Sequence, residues 1–307
     1  MSFTAEVKDE LSRVEGQSVS CALAELSALV RICGTLSFRG RGAYALRIST
    51  ETGSVARTTL GLLHQYLDLE TTLTVRRSTQ RKTRNYLIEV PTQEQLGDDL
   101  VRLGIILPHG GLEAGVPAFV RESVEDTYAY VRGAFMAAGF VADPRGDFHL
   151  EIAVSGGEFA QALAELLGGI GISARINHRR SSYVVYLKSF EDVRTLLRIM
   201  GATRSAQAVE GVHQIKSVKN EVNRRVNAEL ANDRRSSRSG ADQLLLIQQV
   251  EERVGIDKLS PALRQFCELR RSYPEMSLAD LGALCDPPSS KSAMYHRVLR
   301  LQELAGN

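Results

Sequence analysis

Cationic, hydroxyl and aromatic side chains gather on one side of a predicted helix near the end of the sequence. In the segment from Lys291 to Leu304, spacings of three and four place Met294, Val298, Leu301 and Ala305 on one apolar face. The other face carries groups that can hydrogen-bond base edges and phosphates: Ser290, Lys291, Ser292, Tyr295, His296, Arg297 and Arg300. This layout predicts a helix that contacts duplex DNA.

Two shorter helices are predicted immediately before this one. Ser260 and Pro261 suit the N-cap and first turn of a helix over about Ala262 to Arg271. Ser277 and Asp280 resemble a capping box that starts a short helix, which the run DPPSS ends. Helix, short helix, tight turn and basic helix is the order of a helix-turn-helix, whose last helix enters the major groove. The alternative is a small helical bundle whose outer face is only solvated.

A basic, polar segment precedes this module. Residues 203–240 contain few large apolar side chains and many Asn, Arg and Ser residues, so we interpret them as a partly helical linker. The linker leads into a helix-turn-helix DNA-binding domain over residues 241–307. Four linker cations are expected to contact phosphates independently of sequence: Arg224, Arg225, Arg234 and Arg235.

An internal repeat precedes the linker. Each copy has the pattern of helix, hairpin, helix, hairpin and helix, and Gly34 and Gly139 set the offset at about 105 residues. The Gly- and Pro-rich stretch ILPHGGLEAGVP marks the connection between the copies. The sequence therefore predicts an α+β fold with αββαββα repeats over residues 1–110 and 111–202, followed by a separate all-α domain.

The first helix of each repeat has small residues at matching places, in LSALVRICG and VRGAFMAAG. These helices resemble the paired helices of LAGLIDADG homing endonucleases, which implies a pseudo-twofold fold. In that family the penultimate motif residue is an acid that holds the catalytic divalent metal. Here the two positions are Cys33 and Ala138, which cannot ligate magnesium usefully. We therefore expect no catalytic site and no bound metal.

The predicted hairpins carry many cations. One interpretation is a DNA-facing saddle, another is solvated strand edges that discourage aggregation, and a third is a surface for protein partners. The residues concerned are Arg39, Arg41, Arg47, Arg76, Arg77, Arg81, Lys82, Arg84, Arg175, His178, Arg179 and Arg180. The sequence does not choose among these three.

Composition narrows the class of protein. The formal net charge is +2, too small to indicate a polyanionic partner without a local basic face. No apolar run approaches the roughly 20 residues of a membrane helix, and the opening segment is polar, so we expect a cytoplasmic protein with no membrane partner. The four cysteines lack the spacing of a zinc or disulfide framework, so we predict buried free thiols and no cofactor.

Motifs along the whole chain resemble the WhiA-type transcription regulators of Gram-positive bacteria. They are SFTAEVKDEL, LAELSALVRICGTLSF, NEVNRRVNAELAN and MSLADLGALCDPPSSKSAMYHRVLRLQELA. The resemblance implies a nucleoid-associated regulator of cell division, chromosome segregation and, in spore formers, sporulation. It also implies action at promoter DNA beside a WhiB-like iron–sulfur protein and RNA polymerase, without nuclease activity. The alternatives are a residual metal-dependent endonuclease and a protein-binding adaptor that does not read DNA.

Overall fold

A computed structural model describes residues 2–40, 43–77 and 84–306. The chain divides into two units between Ile215 and Lys216. Three of the predicted hairpin cations, Arg41, Arg81 and Lys82, lie outside the described residues.

The first unit begins with a short helix and continues with the first repeat. This repeat is a helix, a hairpin, a helix, a hairpin and a short helix, in the predicted order. The short first helix is α1 (Phe3–Leu11). The repeat itself consists of α2 (Val19–Cys33), β1 (Gly34–Phe38), β2 (Tyr44–Thr50), α3 (Gly53–Leu67), β3 (Thr72–Arg77), β4 (Arg84–Val90) and α4 (Leu96–Arg102).

The second repeat has the same order of elements. A single 3-10 turn, Ala118–Arg121, precedes it. Its elements are α5 (Val124–Ala138), β5 (Gly139–Val141), β6 (Leu150–Val154), α6 (Gly157–Gly169), β7 (Arg175–Arg179), β8 (Ser182–Leu187) and α7 (Phe190–Met200).

Each repeat forms a four-stranded antiparallel sheet, ordered β1-β2-β4-β3 in the first and β5-β6-β8-β7 in the second. The matching central pairs are Ile48 with Ile88 and Ile152 with Val185, and all four side chains are buried. Because side chains alternate along a strand, one face of each sheet joins the hydrophobic core and the other faces outward. The α+β class and the paired repeats are confirmed.

Helices α2 and α5, which begin the two repeats, approach each other closely. A Cβ atom at Gly133 in α5 would lie 2.3 Å from the backbone oxygen of Glu25 in α2 and 3.1 Å from the methyl group of Ala28. Only a glycine fits where two helix backbones come this near. The small residues of the repeated motif therefore serve helix packing.

The segment predicted as a partly helical linker is helical throughout. Helix α8 runs over Thr203–Arg253 and includes the helix predicted from residue 241 onward. Its start is capped by α1, because the Glu10 carboxylate accepts the backbone N–H groups of Arg204 at 2.7 Å and Ser205 at 3.0 Å. The segment contains no proline, which would interrupt the hydrogen bonds of a continuous helix. Its polar composition is that of a helix exposed to solvent.

The second unit contains three helices that follow α8 in the chain: α9 (Pro261–Ser272), α10 (Leu278–Ala283) and α11 (Lys291–Ala305). A 3-10 turn, Ile256–Lys258, separates α8 from α9. The core combines Ile247 of α8 with side chains from each of the other three helices, including Phe266, Leu281 and Met294. The predicted helix-turn-helix order is confirmed.

Serine side chains start two of these helices. The Ser277 hydroxyl accepts the N–H of Asp280 at 3.3 Å, and the Ser290 hydroxyl accepts the N–H of Ala293 at 3.2 Å. Each bond satisfies a donor that the first turn of a helix leaves without an internal acceptor. Ser260 lies at the predicted N-cap of α9, but its hydroxyl does not make the capping bond.

Candidate nucleic-acid interface

Helix α11 has one buried face and one exposed face. Met294, Val298 and Leu301 are buried in the core of the second unit. On the exposed side lie Ser292, Tyr295 and His296, and the Tyr295 side chain is 54% exposed although it is a large aromatic group. This division matches the predicted layout and leaves the outer face open to a ligand.

Two cationic or titratable side chains of α11 are exposed and have no internal partner. Within the part of the chain that the structure describes, neither Lys291 nor His296 makes a side-chain hydrogen bond or ion pair, and both are exposed. A hydrated cation that has no protein partner keeps its full capacity to bind a phosphate. Lys291 also lies in the first turn of α11, where the helix dipole adds positive potential.

Arg297 does not have the exposed position that the sequence predicted. It is half-buried, and its guanidinium donates to the Ser289 hydroxyl at 2.9 Å, the Cys285 sulfur at 3.4 Å and the Gln265 side-chain oxygen at 3.5 Å. The helical pattern alone could not show that the turn before α11 folds back onto this side. Arg297 therefore connects α11 to that turn and to α9, and its guanidinium is already occupied by these internal hydrogen bonds.

The predicted cation Arg300 remains exposed but is paired. It forms an ion pair with Glu303, one turn along α11, and both side chains are mostly solvent-exposed. An exposed pair of this kind contributes only about 0–1 kcal/mol to stability, so a nearby phosphate can compete with Glu303 for the guanidinium.

The linker cations lie on the exposed part of α8. Arg224, Arg225 and Arg234 are exposed, and the described residues provide no hydrogen-bond partner for their side chains. Arg235 folds back on its own helix, where it donates to the Ala231 carbonyl at 3.1 Å and the Asn232 side-chain oxygen at 2.6 Å. The structure thus places all four on one helix, as separate side chains along its length.

One cleft brings a linker cation and an α11 cation together. We call it the Lys291 cleft. Its volume is about 440 Å³, and it lies between α8 and the start of α11. Its lining residues are Asn232, Arg235, Ser236, Ser239, Arg270, Met276, Ser277, Leu278 and Lys291. Arg235 and Lys291 were predicted as separate contacts, and only the folded chain shows that they share one surface.

Two residues that the sequence analysis did not single out hold this surface together. Arg270 of α9 is 1% exposed and donates to the Gln243 side chain of α8 at 2.9 Å and to the Met276 carbonyl at 2.7 Å. Burial without a carboxylate partner lowers the pKa of Arg270. Gly240 of α8 packs directly against the Pro274 carbonyl. A glycine and a buried arginine within basic helices gave no distinctive sequence signal.

The two motif positions at which the sequence predicted no metal ligand, Cys33 and Ala138, lie at the ends of α2 and α5. The Cys33 thiol donates to the backbone oxygen of Ala137 at 3.6 Å. Burial raises the pKa of Cys33 to about 11, although the nearby Lys8 ammonium acts in the opposite direction. Residue 138 is an alanine, and no group of three or more His, Cys, Asp or Glu side chains in the described ranges could hold a metal ion. The donor set does not suit magnesium.

Two of the described hairpin cations are paired within the sheets. Arg47 forms an ion pair with Glu89 at 3.2 Å, and Arg179 forms one with Glu151 at 2.9 Å. Burial tends to raise the pKa of Glu151, but hydrogen bonds from His149 and Arg179 outweigh it and lower the pKa. These carboxylates reduce the positive charge on the outer faces of both sheets. The three interpretations of these faces stay open.

Among the described residues, no helix combines the length and apolar character that crossing a membrane requires.

Comparison with known proteins decides the family. Residues 19–106 match the WhiA N-terminal LAGLIDADG-like domain, residues 127–219 the WhiA LAGLIDADG-like domain, and residues 222–305 the WhiA C-terminal HTH domain. The chain belongs to the WhiA family. This confirms the resemblance seen in the sequence motifs.

Full-length relatives support the assignment to the WhiA family. The chain is 38% identical to "Probable cell division protein WhiA" of Desulfitobacterium hafniense (strain Y51), covering 99% of this chain and 96% of the relative. It is 37% identical, with the same coverage, to the protein of that name from Heliobacterium modesticaldum. The crystal structure of full-length DUF199/WhiA from Thermatoga maritima matches with a TM-score of 0.62 and 25% identity, covering 100% of this chain and 98% of that one.

Proposed function

We propose that this WhiA family member is a sequence-specific DNA-binding transcription regulator of cell division, without nuclease activity. The observation that carries the proposal is the outer face of α11, where Lys291, Tyr295 and His296 are exposed and have no side-chain partner among the described residues. A helix anchored on its apolar side and open on its polar side can enter the major groove, where side chains distinguish the base pairs. Ser290 and Ser292 add hydroxyl groups to the same end of the helix.

The DNA-binding part of the chain extends, in this proposal, into α8. Ser236 donates to the Glu275 backbone oxygen at 3.2 Å, and Gly240 touches Pro274, so this stretch of α8 packs with the helix-turn-helix and not apart from it. We therefore propose that Arg300 and the exposed α8 cations contact phosphates independently of sequence; the α8 cations are Arg224, Arg225, Arg234 and Arg235. We also retain Arg297 as a proposed DNA contact, on the sole ground that this half-buried residue lies at the edge of the α11 surface.

The cellular part of the proposal comes from the family. Relatives at 37–38% identity are named probable cell division proteins. The proposal extends this to chromosome segregation, to sporulation in spore formers and to a nucleoid location. It also includes promoter DNA as the ligand, with a WhiB-like iron–sulfur protein and RNA polymerase as partners.

The absence of nuclease activity is proposed from the two motif positions. Cys33 holds its proton tightly and Ala138 has no donor atom, so neither can replace a carboxylate on magnesium. Incubation of supercoiled plasmid with the full-length protein and magnesium tests this point. Nicked or linear plasmid would support the residual endonuclease instead.

A selection and binding experiment tests the DNA-binding proposal. Full-length protein selects duplexes from a randomised library, and fluorescence anisotropy then measures its affinity for the selected duplex and for a scrambled one. We expect the variant with Lys291, Tyr295 and His296 changed to Ala to lose most of the preference for the selected duplex. Arg57→Gln removes an exposed cation from α3 of the first unit and serves as the control. Unchanged binding by the triple variant, or no duplex binding by the wild type, would contradict the proposal.

A further inference from the structure

A second basic cleft borders α11, and the sequence analysis did not predict it. We call it the Lys258 cleft. It has a volume of about 450 Å³ and lies between α11 and the segment that leads into α9. Its polar lining comes from Lys258, Ser260, His296, Arg297 and Arg300, and its apolar floor includes Leu259 and Leu263. Long cationic side chains from two separate segments thus converge on one concave surface.

The charges in this cleft are available to a ligand. Lys258 is exposed, and among the described residues its ammonium has neither a hydrogen-bond nor an ion-pair partner, as is also true of the His296 ring. Arg297 points its guanidinium toward Ser289 and Gln265, so it contributes little here. Arg300 is paired with Glu303, which does not itself line the cleft. The cleft therefore has net positive character, and Lys258 is its least engaged cation.

The two basic clefts lie on opposite sides of α11. Tyr295 and Lys291 are on one side of the helix, and His296 and Arg300 are on the other, as the spacing of 100° per residue requires. Ser292 and the outer edges of Tyr295 and His296 lie between them. A helix with side chains is about 10–12 Å across, and the major groove is about 12 Å wide between its two sugar-phosphate strands. A helix in the groove therefore faces a phosphate strand on each side.

We propose that the Lys258 cleft binds a backbone phosphate of duplex DNA, on the strand opposite to the one that the Lys291 cleft meets. The inference rests on the proposed function and adds Lys258 to the DNA-contacting residues. Phosphate is the chemistry that fits, because the cleft combines flexible cations with a serine hydroxyl and presents no rigid amide or bidentate pair aimed at a base edge. With both strands held, α11 is fixed in depth and tilt within the groove.

The test measures DNA affinity against salt for full-length Lys258→Gln. Each neutralised phosphate adds about 0.9 to the slope of log affinity against log salt. Loss of one contact should therefore weaken binding about eightfold at about 0.1 M salt, with the difference vanishing near 1 M. The loss should be equal for the selected and the scrambled duplex. Arg57→Gln, the control with the same change in net charge, should leave the slope unchanged.

A second variant predicts the opposite effect. Glu303→Gln removes the carboxylate that pairs with Arg300 and so releases a guanidinium that lines the cleft. We expect tighter binding and a steeper salt slope, and we expect Lys258→Gln to reverse part of this gain. Because Lys258 and Glu303 are both exposed, the thermal unfolding of each variant should match the wild type.

Three results would overturn the inference. One is Lys258→Gln with the affinity and salt slope of Arg57→Gln while the triple variant of α11 loses binding, which would leave the proposed function intact. Another is a thermal shift with inorganic phosphate that Lys258→Gln abolishes without any change in DNA binding, since the cleft would then hold a free anion. Absence of duplex binding by the wild type would remove the proposed function and the inference together.

Discussion

The Glu25 carboxylate of α2 accepts two hydrogen bonds from the Arg132 guanidinium of α5, one from Nε at 3.0 Å and one from Nη2 at 2.8 Å. The side chains are 2% and 7% exposed, so the ion pair is buried where the two repeats meet. Gln17 also bonds to both partners. Charge pairing thus links α2 and α5 in addition to the close packing of their backbones at Gly133.

Removal of one partner of this pair should destabilise the first unit strongly. Arg132→Met leaves the Glu25 charge buried without compensation, which costs about 3–5 kcal/mol. Urea titration, monitored by hydrogen exchange of peptides from α2 and α5, measures the change in the free energy of unfolding. Arg47→Met is the control, because the Arg47–Glu89 pair is exposed and its loss should cost at most about 1 kcal/mol. Equal stabilities for the two variants would refute the buried-pair argument.

Two glycines of α8 should respond in opposite ways to alanine. At Gly240 an added Cβ would lie 2.0 Å from the Pro274 backbone oxygen, whereas at Gly211 nothing lies within 4 Å. Gly240→Ala should therefore destabilise the second unit by about 1–3 kcal/mol through overpacking. Gly211→Ala should be neutral or stabilising by up to about 1 kcal/mol, since alanine favours helices. Thermal unfolding of the full-length variants distinguishes them. A Gly240→Ala protein with the melting temperature of the wild type would exclude the close packing of α8 on the turn that contains Pro274.

Arg297 and His296 are neighbours in sequence but should behave differently. Arg297→Ala removes bonds to Ser289 and Gln265, and we expect it to lower the free energy of unfolding of the second unit by about 1–3 kcal/mol and to weaken DNA binding as a consequence. His296→Ala should weaken DNA binding without loss of stability, because His296 is exposed. Paired measurements of melting temperature and anisotropy separate the two effects. An Arg297→Ala protein as stable as the wild type would show that its bonds are not structural.

The Cys33 thiol should resist alkylation near neutral pH. Its pKa is raised to about 11 by burial, against about 8.5 for a free cysteine, so almost no thiolate is present at about pH 8. Because the pKa of Cys33 is higher in the folded state than in the unfolded state, the free energy of unfolding depends on pH. The stability contributed by the protonated thiol is fully present below the unfolded pKa and is lost as pH rises through the folded pKa. Iodoacetamide labelling followed by mass spectrometry measures the rate, with urea-unfolded protein as the reference. Equally fast labelling of folded and unfolded protein would contradict the raised pKa.

The periodic parts of the sequence were sufficient to predict the architecture. The spacing of Met294, Val298 and Leu301 identified α11 and its buried face, and the matching motifs before Gly34 and Gly139 identified the two repeats. Such patterns are local, because helix and strand geometry fixes which neighbours share a face. The linker shows the limit of this reasoning, since an exposed helix needs no apolar stripe and α8 therefore looked only partly helical.

What the amino-acid order determined by itself was the order of elements in the two repeats and the helix-turn-helix, the family and the chemical character of the α11 surface. The tertiary structure decided which of those side chains are free. It turned Arg297 inward, brought Arg235 beside Lys291 and placed Lys258 across from His296. The reason is physical: hydrogen bonds and ion pairs form between groups far apart in the chain, and only folding brings their atoms within bonding distance.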